Sequence, residues 1–223
     1  MQLHAVIVPP PDVVRGALEA AHDLCLATPA APDEPGRGLL DRLRGRRRAA
    51  TPAAPPVTLL SASREAVFVR LAKFGNVTGS DADGLAVALR SVAGAWPAPV
   101  LRVTAVAVAE AEPHDVTAQL DGDVAALRDI YGNVNEVARQ QRFFLDRRSF
   151  RSELVLGSVA GQDGAPVPTT VAGAEAPLDG ATWSPSHVTL VRASFGASGT
   201  TYSEVAQVEL GRPAEDLGSG NST

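Results

Sequence analysis

Apolar residues recur along most of the chain at spacings that distinguish helices from strands. In the segment that follows the first prolines, Val14, Leu18 and Ala21 lie at helical spacing, which predicts an amphipathic helix. A second helix is predicted to begin at a serine and an aspartate, which are favourable residue types at helix N-termini. The third has Gly132 inside it, where a break is expected. The three predicted helices cover residues 11–26, 80–96 and 116–139.

Strands are predicted where β-branched residues alternate with other residue types, most clearly over 99–110. The other strands are expected at residues 3–8, in two pieces within 57–75, and at 150–159, 186–195 and 201–210. The last two should pair as a hairpin, whereas 160–182 resembles a loop. So many neighbouring strands do not suit a doubly wound parallel sheet. The pattern therefore predicts an α+β fold with largely antiparallel sheets.

Residues 27–56 interrupt this pattern. They open and close with alanine, proline and threonine, and they contain the basic run Arg44–Arg48. We interpret them as a partly disordered surface insertion, and residues 212–223 as a disordered tail. The expected domain is therefore 1–211 with one insertion. The basic run either contacts RNA or an acidic partner, or is simply a solvated cluster of charges.

Composition narrows the function classes. A net charge of −5 over 223 residues argues against a protein that coats nucleic acid by bulk electrostatics. The single cysteine, Cys25, excludes an internal disulfide and any cysteine-based zinc site. The four histidines lack metal-ligand spacing, so neither a metal nor a cofactor is expected. With no apolar run of about 20 residues and no basic segment before the first apolar run, a cytoplasmic protein without a membrane partner is expected.

The stretch Val67–Val77, "VFVRLAKFGNV", carries the most informative irregularity. Strict alternation in a strand that turns at Gly75 directs Phe68, Arg70 and Ala72 to one face. An arginine on the same face as a phenylalanine does not suit a sealed core. This strand is therefore expected to border a cleft.

Four segments together resemble the two-histidine phosphoesterases, the family of LigT-like 2'-5' RNA ligases and cyclic phosphodiesterases. The family pattern H-x-T-L-x-F-L-G-x-V is similar to "FVRLAKFGNV", and F-x-P-H-x-T-L-x-x-V is similar to "FRSELVLGSV". The opening "MQLHAVIVPPPDVVRGALEAA" resembles the family's first strand and helix, and residues 188–210 resemble its final hairpin. The resemblance implies two lobes, with pseudo-twofold antiparallel sheets on either side of a central cleft and helices outside.

The resemblance also implies where chemistry would lie. In that family one histidine from each lobe acts as general base or general acid on a phosphodiester, and the threonines bind phosphate. Here Phe68 and Glu153 occupy the histidine positions, while Arg70 and Val155 occupy the threonine positions. Arginine is always protonated and phenylalanine transfers no proton, so both motifs are degenerate.

The remaining candidates have two interpretations each. Arg70 either binds an anion in the cleft or pairs directly with Glu153. His4, on the first strand, either faces the cleft or packs in the sheet, and Arg151 adds charge to the cleft rim. His187 begins the letters "HVTL", which match an active motif by chance or mark a relocated catalytic histidine.

Three functions follow from these residues. The first is a catalytically degenerate protein that binds a nucleotide, an RNA end or another phosphorylated ligand, or serves as a non-catalytic module. The second is an active phosphoesterase that uses Glu153, His4 or His187. The third is an α+β binding protein with an unrelated fold.

Overall fold

A computed structural model describes residues 1–26, 57–145, 149–197 and 199–212. The predicted insertion at 27–56 and nearly all of the predicted tail lie outside the described residues. The helices are α1 (Pro11–Leu26), α2 (Gly79–Ala93) and α3 (Val124–Gln140). The strands are β1 (Gln2–Ile7), β2 (Val57–Ser61), β3 (Val69–Asn76), β4 (Leu101–Val108), β5 (Asp115–Gly122), β6 (Glu153–Gly161), β7 (Glu175–Pro177), β8 (His187–Gly196) and β9 (Gly199–Glu209).

The strands form two antiparallel sheets, as the pattern predicts. One sheet has the order β3-β1-β8-β9 and the other the order β2-β6-β5-β4-β7. The two motif strands, β3 and β6, therefore lie in different sheets. The predicted hairpin is β8 paired with β9 over ten residue pairs, from His187 with Glu209 to Gly196 with Gly199. Helix α1 packs on β4, α2 on β9 and α3 on β3, so each sheet buries one face against a helix.

Helix α2 begins slightly earlier than the serine and aspartate suggested. Thr78 is its N-cap, because the Thr78 hydroxyl accepts a hydrogen bond from the backbone amide of Asp81 at 3.1 Å. The Asp81 carboxylate in turn accepts one from the backbone amide of Thr78 at 2.9 Å. This reciprocal capping box satisfies two amides that the first helical turn would otherwise leave unpaired.

The prediction of one helix over 116–139 is wrong in its first part. Residues Asp115–Gly122 form strand β5, in which Val116, Ala118 and Leu120 are buried while the residues between them face outward. This is a period of two, and Gly122, with φ of 100°, ends it. The helix starts only at Val124 and continues through Gly132 without a break. The three-residue strand β7 was also missed within the predicted loop 160–182.

Strand β3 departs from simple alternation through a β-bulge. It pairs with β1 so that Ala5 opposes Ala72 but Val6 opposes Arg70, which leaves Leu71 as the extra residue. Leu71 and Ala72 consequently both join the main core, and Lys73 rather than Ala72 shares a face with Arg70. The strand also continues through Gly75 to Asn76, so the predicted turn at Gly75 is wrong. Gly75 instead has φ of 70° at a second register shift.

Candidate functional site

A cavity of about 500 Å³ separates the two motif strands. Phe68 and Arg70 line it from the side of β3, and Glu153 and Val155 line it from β6, so all four motif positions meet in one space. The rest of the lining comes from Ala66, Leu71, Ala72, Lys73, Asp115, Tyr131, Asn135, Ser149 and Arg151. The expectation that β3 and β6 border a common cleft is confirmed.

Two cations form one side of this cavity. Arg70 opposes Val6 across the β1–β3 ladder and Lys73 opposes His4, so both project from the face that carries Val6 and His4. The Arg70 guanidinium lies 6.0 Å from the centre of the Phe68 ring, within range of a cation–π contact. Within the described part of the chain, neither cation forms an ion pair. We call Arg70 and Lys73 the cation wall.

The opposite side carries a carboxylate that already has a partner. The Arg151 guanidinium lies 3.2 Å from Oε1 of Glu153, whose side chain is 24% exposed. The expected direct pair between Arg70 and Glu153 is therefore not formed. Arg151 lies only two residues before Glu153, just ahead of the start of β6, so the pair forms locally without closing the cleft. The cavity is thus asymmetric, with free cations on one side and a partly neutralised carboxylate on the other.

Phe68 belongs to a small apolar cluster that is separate from the main core. The cluster consists of Val6, Phe68 and Val191, with Tyr202 packed against it. The Tyr202 ring meets Phe68 edge-on at 5.0 Å between centres, and Phe68 is only 6% exposed. A side chain that fills space in this way stabilises the sheet by burial. The position that the resemblance gives to a catalytic histidine is therefore used for packing.

His4 lies behind this cluster and is 3% exposed. Neither ring nitrogen has a hydrogen-bond partner within the described residues, and Tyr202 meets the imidazole edge-on at 5.9 Å. Burial lowers the pKa of His4 to about 4, and the positive charges of Arg70 and Lys73 act in the same direction. His4 is therefore neutral at pH 7. It lies next to the cation wall, opposite Lys73 in the β1–β3 ladder.

Comparison with solved structures identifies this arrangement of two sheets and a cleft. The protein TT0787 of Thermus thermophilus matches with a TM-score of 0.64 over 96% of this chain and 100% of its own, at 14% identity. E. coli LigT in complex with 3'-AMP matches with a TM-score of 0.63 over 94% of this chain and 97% of its own, at 13% identity. The chain has the LigT fold. The prediction of a LigT-like α+β architecture is confirmed, and an unrelated fold is excluded.

Comparisons by sequence alone find no match. No family model matches the chain, and no curated protein sequence matches it. E. coli LigT in complex with NADP+ also aligns over 95% of this chain and 98% of its own, with a TM-score of 0.62 and 14% identity. Near-complete structural coverage at such low identity shows that the chain shares the LigT fold while most of its residues differ.

The other candidate histidine is not at the LigT-like cleft. His187 is the first residue of β8, where its Nδ1 lies 2.7 Å from the Ser186 hydroxyl. His187 is not among the described residues that line the cavity.

No group of three or more His, Cys, Asp or Glu side chains in the described ranges comes together as a metal site. No helix in those ranges is both long and apolar enough to cross a membrane.

Several residues of the cleft escaped sequence analysis. Lys73 was missed because strict alternation turns it away from Arg70, and Asp115 because β5 was interpreted as helix. Asn135 carried a signal that could have found it. It occupies a buried position on a helix face whose other buried members are Leu127, Ile130, Val134 and Ala138, and a polar residue at such a position needs a specific partner.

The low pKa of His4 predicts how stability depends on pH. An unfolded histidine has a pKa near 6.5 and this one about 4, so between those values the unfolded chain binds more protons. The stability present above pH 6.5 is therefore lost as the pH falls towards 4. The wild type should lose about 3 kcal/mol more between pH 7 and pH 4 than a His4→Phe variant. Urea unfolding at a series of pH values measures this difference.

A matched control separates the imidazole from packing. Leu101→Ala, at a fully buried position of the other sheet, should lower stability at every pH through lost burial, yet retain the wild-type pH dependence. If His4→Phe keeps the wild-type dependence as well, His4 is not the titrating group.

Proposed function

We propose that this chain is a catalytically degenerate LigT-like protein whose cleft binds a nucleotide, an RNA end or another phosphorylated ligand. One observation carries the proposal. The four motif positions meet at a single cavity, but the two that would need proton-transfer groups are Phe68, which is packed against Tyr202, and Glu153, which is paired with Arg151. The binding cleft is retained without the pair of groups that general acid–base catalysis requires.

Binding is favoured by the charges that remain. Arg70 is exposed and Lys73 half-buried at the cavity, and within the described residues neither is neutralised by an acid. Free cations in a concave site attract anions. E. coli LigT, which has the same fold, has been solved with 3'-AMP, NADP+, ATP and phosphate. Those complexes suggest the ligand class to test first.

An active phosphoesterase has less support. His4 is buried behind Phe68 and Tyr202, and His187 lies outside the described lining of the cavity. Glu153 alone could accept a proton, but the position across from it is Phe68. Catalysis would then have to proceed with one group where the motifs provide two.

The proposal is tested by ligand-induced stabilisation. In thermal-shift measurements, 3'-AMP, NADP+ and a short RNA with a 3'-phosphate are added to the purified chain. A ligand at 100 times its Kd stabilises a protein by about 2.7 kcal/mol, so binding should raise Tm clearly. Adenosine, which has the same base without phosphate, is the control and should shift Tm much less. If none of the phosphorylated compounds shifts Tm or binds by calorimetry, the proposed function is wrong.

A further inference from the structure

The main-chain geometry of β3 decides which side chains enter the cleft. Arg70 and Lys73 are three residues apart, a spacing that places two side chains of a regular strand on opposite faces. They share a face only because the bulge adds Leu71 between them. The cation wall is therefore a consequence of the bulge.

Helix α3 contacts this bulge through one side chain. Nδ2 of Asn135 donates to the carbonyl oxygen of Leu71 at 3.3 Å and to that of Tyr131 at 2.6 Å. Leu71 has no partner in the β1–β3 register, and β3 is an edge strand of its sheet. Asn135 is only 6% exposed, so this bond forms away from competing water. Asn135 thus connects the extra residue of the bulge to the helix.

We infer that the anionic group of the ligand binds on the cation wall, at one side of the cleft, and that Asn135 is the positioning residue that holds the bulge and so brings Arg70 and Lys73 together. This inference rests on the proposed function for the existence of a ligand. What it adds to the proposed function is the position of the anionic group within the cleft. A phosphate midway between the two motif strands would meet the Glu153 carboxylate, whereas one on the wall meets two cations and avoids that charge.

The ligand class follows from the same asymmetry. One anionic group suits the cation wall, and a neutral hydrogen-bond donor suits the carboxylate of Glu153 opposite. A phosphomonoester with hydroxyl or amino donors at its other end fits both sides of a cavity of about 500 Å³. A compound with anionic groups at both ends would be repelled by Glu153 and is expected to bind less tightly.

The first experiment measures 3'-AMP affinity by calorimetry. Arg70→Met and Lys73→Met should each weaken binding about tenfold, the loss expected for one charge-assisted hydrogen bond. Glu153→Gln should leave affinity unchanged or improve it. Arg102→Met is the matched control, since Arg102 pairs with Asp121 at 3.1 Å and is not part of the cavity lining in the described residues. The Arg102→Met variant should bind 3'-AMP as tightly as the wild type does.

The second experiment needs no ligand. The imidazole of His4 senses both cations, so its titration by NMR reports whether they remain on its face. Lys73→Met should raise the pKa of His4. Asn135→Leu should raise it too, because the bulge can then relax and release Lys73. Asn133→Ala, at an exposed asparagine on the same helix, is the control. If Asn135→Leu does not fold, Asn135→Ala is used in its place, and Asn135→Gln should restore the wild-type value.

The outcomes are distinguishable. If 3'-AMP and inorganic phosphate do not bind the wild type but NADP+ or the 3'-phosphorylated RNA does, the inferred ligand class is wrong and the proposed function stands. If none of these compounds binds, both are wrong, while the His4 titration still decides the role of Asn135. If 3'-AMP binds but Arg70→Met and Lys73→Met bind as tightly as the wild type, the proposed function stands and the location on the wall is wrong. If Arg151→Met weakens binding as much as Arg70→Met, the anion lies between the two sides and the location on the wall is again wrong. If the Asn135 variants leave the pKa of His4 unchanged, Asn135 does not hold the bulge.

Discussion

A 2',3'-cyclic nucleotide should be hydrolysed by this protein no faster than in buffer alone. Each positioned acid or base typically contributes about 10²- to 10⁴-fold to the rate. Phe68 occupies one such position and cannot transfer a proton. Glu153 occupies the other, where its carboxylate is paired with Arg151 at 3.2 Å and has only Phe68 as its counterpart across the cavity. Product formation over several hours, measured by chromatography at micromolar protein, provides the test.

The control for this prediction is a single substitution. Any trace activity should persist unchanged in a Glu153→Ala variant, since a contaminating enzyme would not respond to it. Robust turnover that disappears in Glu153→Ala would instead show that the carboxylate is catalytic, and would favour the active phosphoesterase over the binding protein.

Replacing Gly157 by alanine should destabilise the protein by about 3 kcal/mol or more. Gly157 lies in β6, the second motif strand, between Ser61 of β2 and Val116 of β5. Its φ of 149° is one that residues with a side chain rarely adopt, and a Cβ there would overlap the carbonyl oxygen of Leu60. The new methyl group would force β2 away from β6. The free energy of urea unfolding measures the loss.

Gly84 provides the comparison. It lies in the exposed part of helix α2, where a Cβ would meet nothing within 4 Å. Gly84→Ala should therefore stabilise the protein by up to about 1 kcal/mol, because alanine loses less backbone entropy in a helix. If both variants change stability by the same small amount, β2 and β6 do not make the tight contact at Gly157.

Phe68 takes part both in the packing of the sheet and in the lining of the cavity. In the apolar cluster it packs with Val6 and contacts Tyr202, so this cavity residue also stabilises the four-stranded sheet. The same residue places its ring 6.0 Å from the Arg70 guanidinium. Phe68 therefore contributes both to the packing of the sheet and to the lining of the cavity beside Arg70.

Local sequence patterns determined much of the fold. The apolar spacing of α1 and the apolar runs on either side of the turn between β8 and β9 each specify an element without help from distant residues. The segments around Phe68 and Glu153 also resemble the two motifs in sequence, because the flanking residues keep the order of hydrophobic, small and glycine positions. The sequence thereby predicted the cleft between these two segments, and the change at its two histidine positions stays a prediction from the resemblance.

The tertiary structure alone decided what fills that cleft. The bulge at Leu71 depends on how β3 pairs with β1, which is distant in the chain, and no local pattern marks it. The alternation of Val116, Ala118 and Leu120 in β5 leads almost directly into the stronger periodicity of α3, so the two segments were interpreted as one helix. Glu153 pairs with Arg151 rather than Arg70 because Arg151, two residues before it in the chain, reaches it without spanning the cavity. In each case a contact between distant segments, or the competition between two contacts, set the outcome, and neither is written in the spacing of residues along the chain.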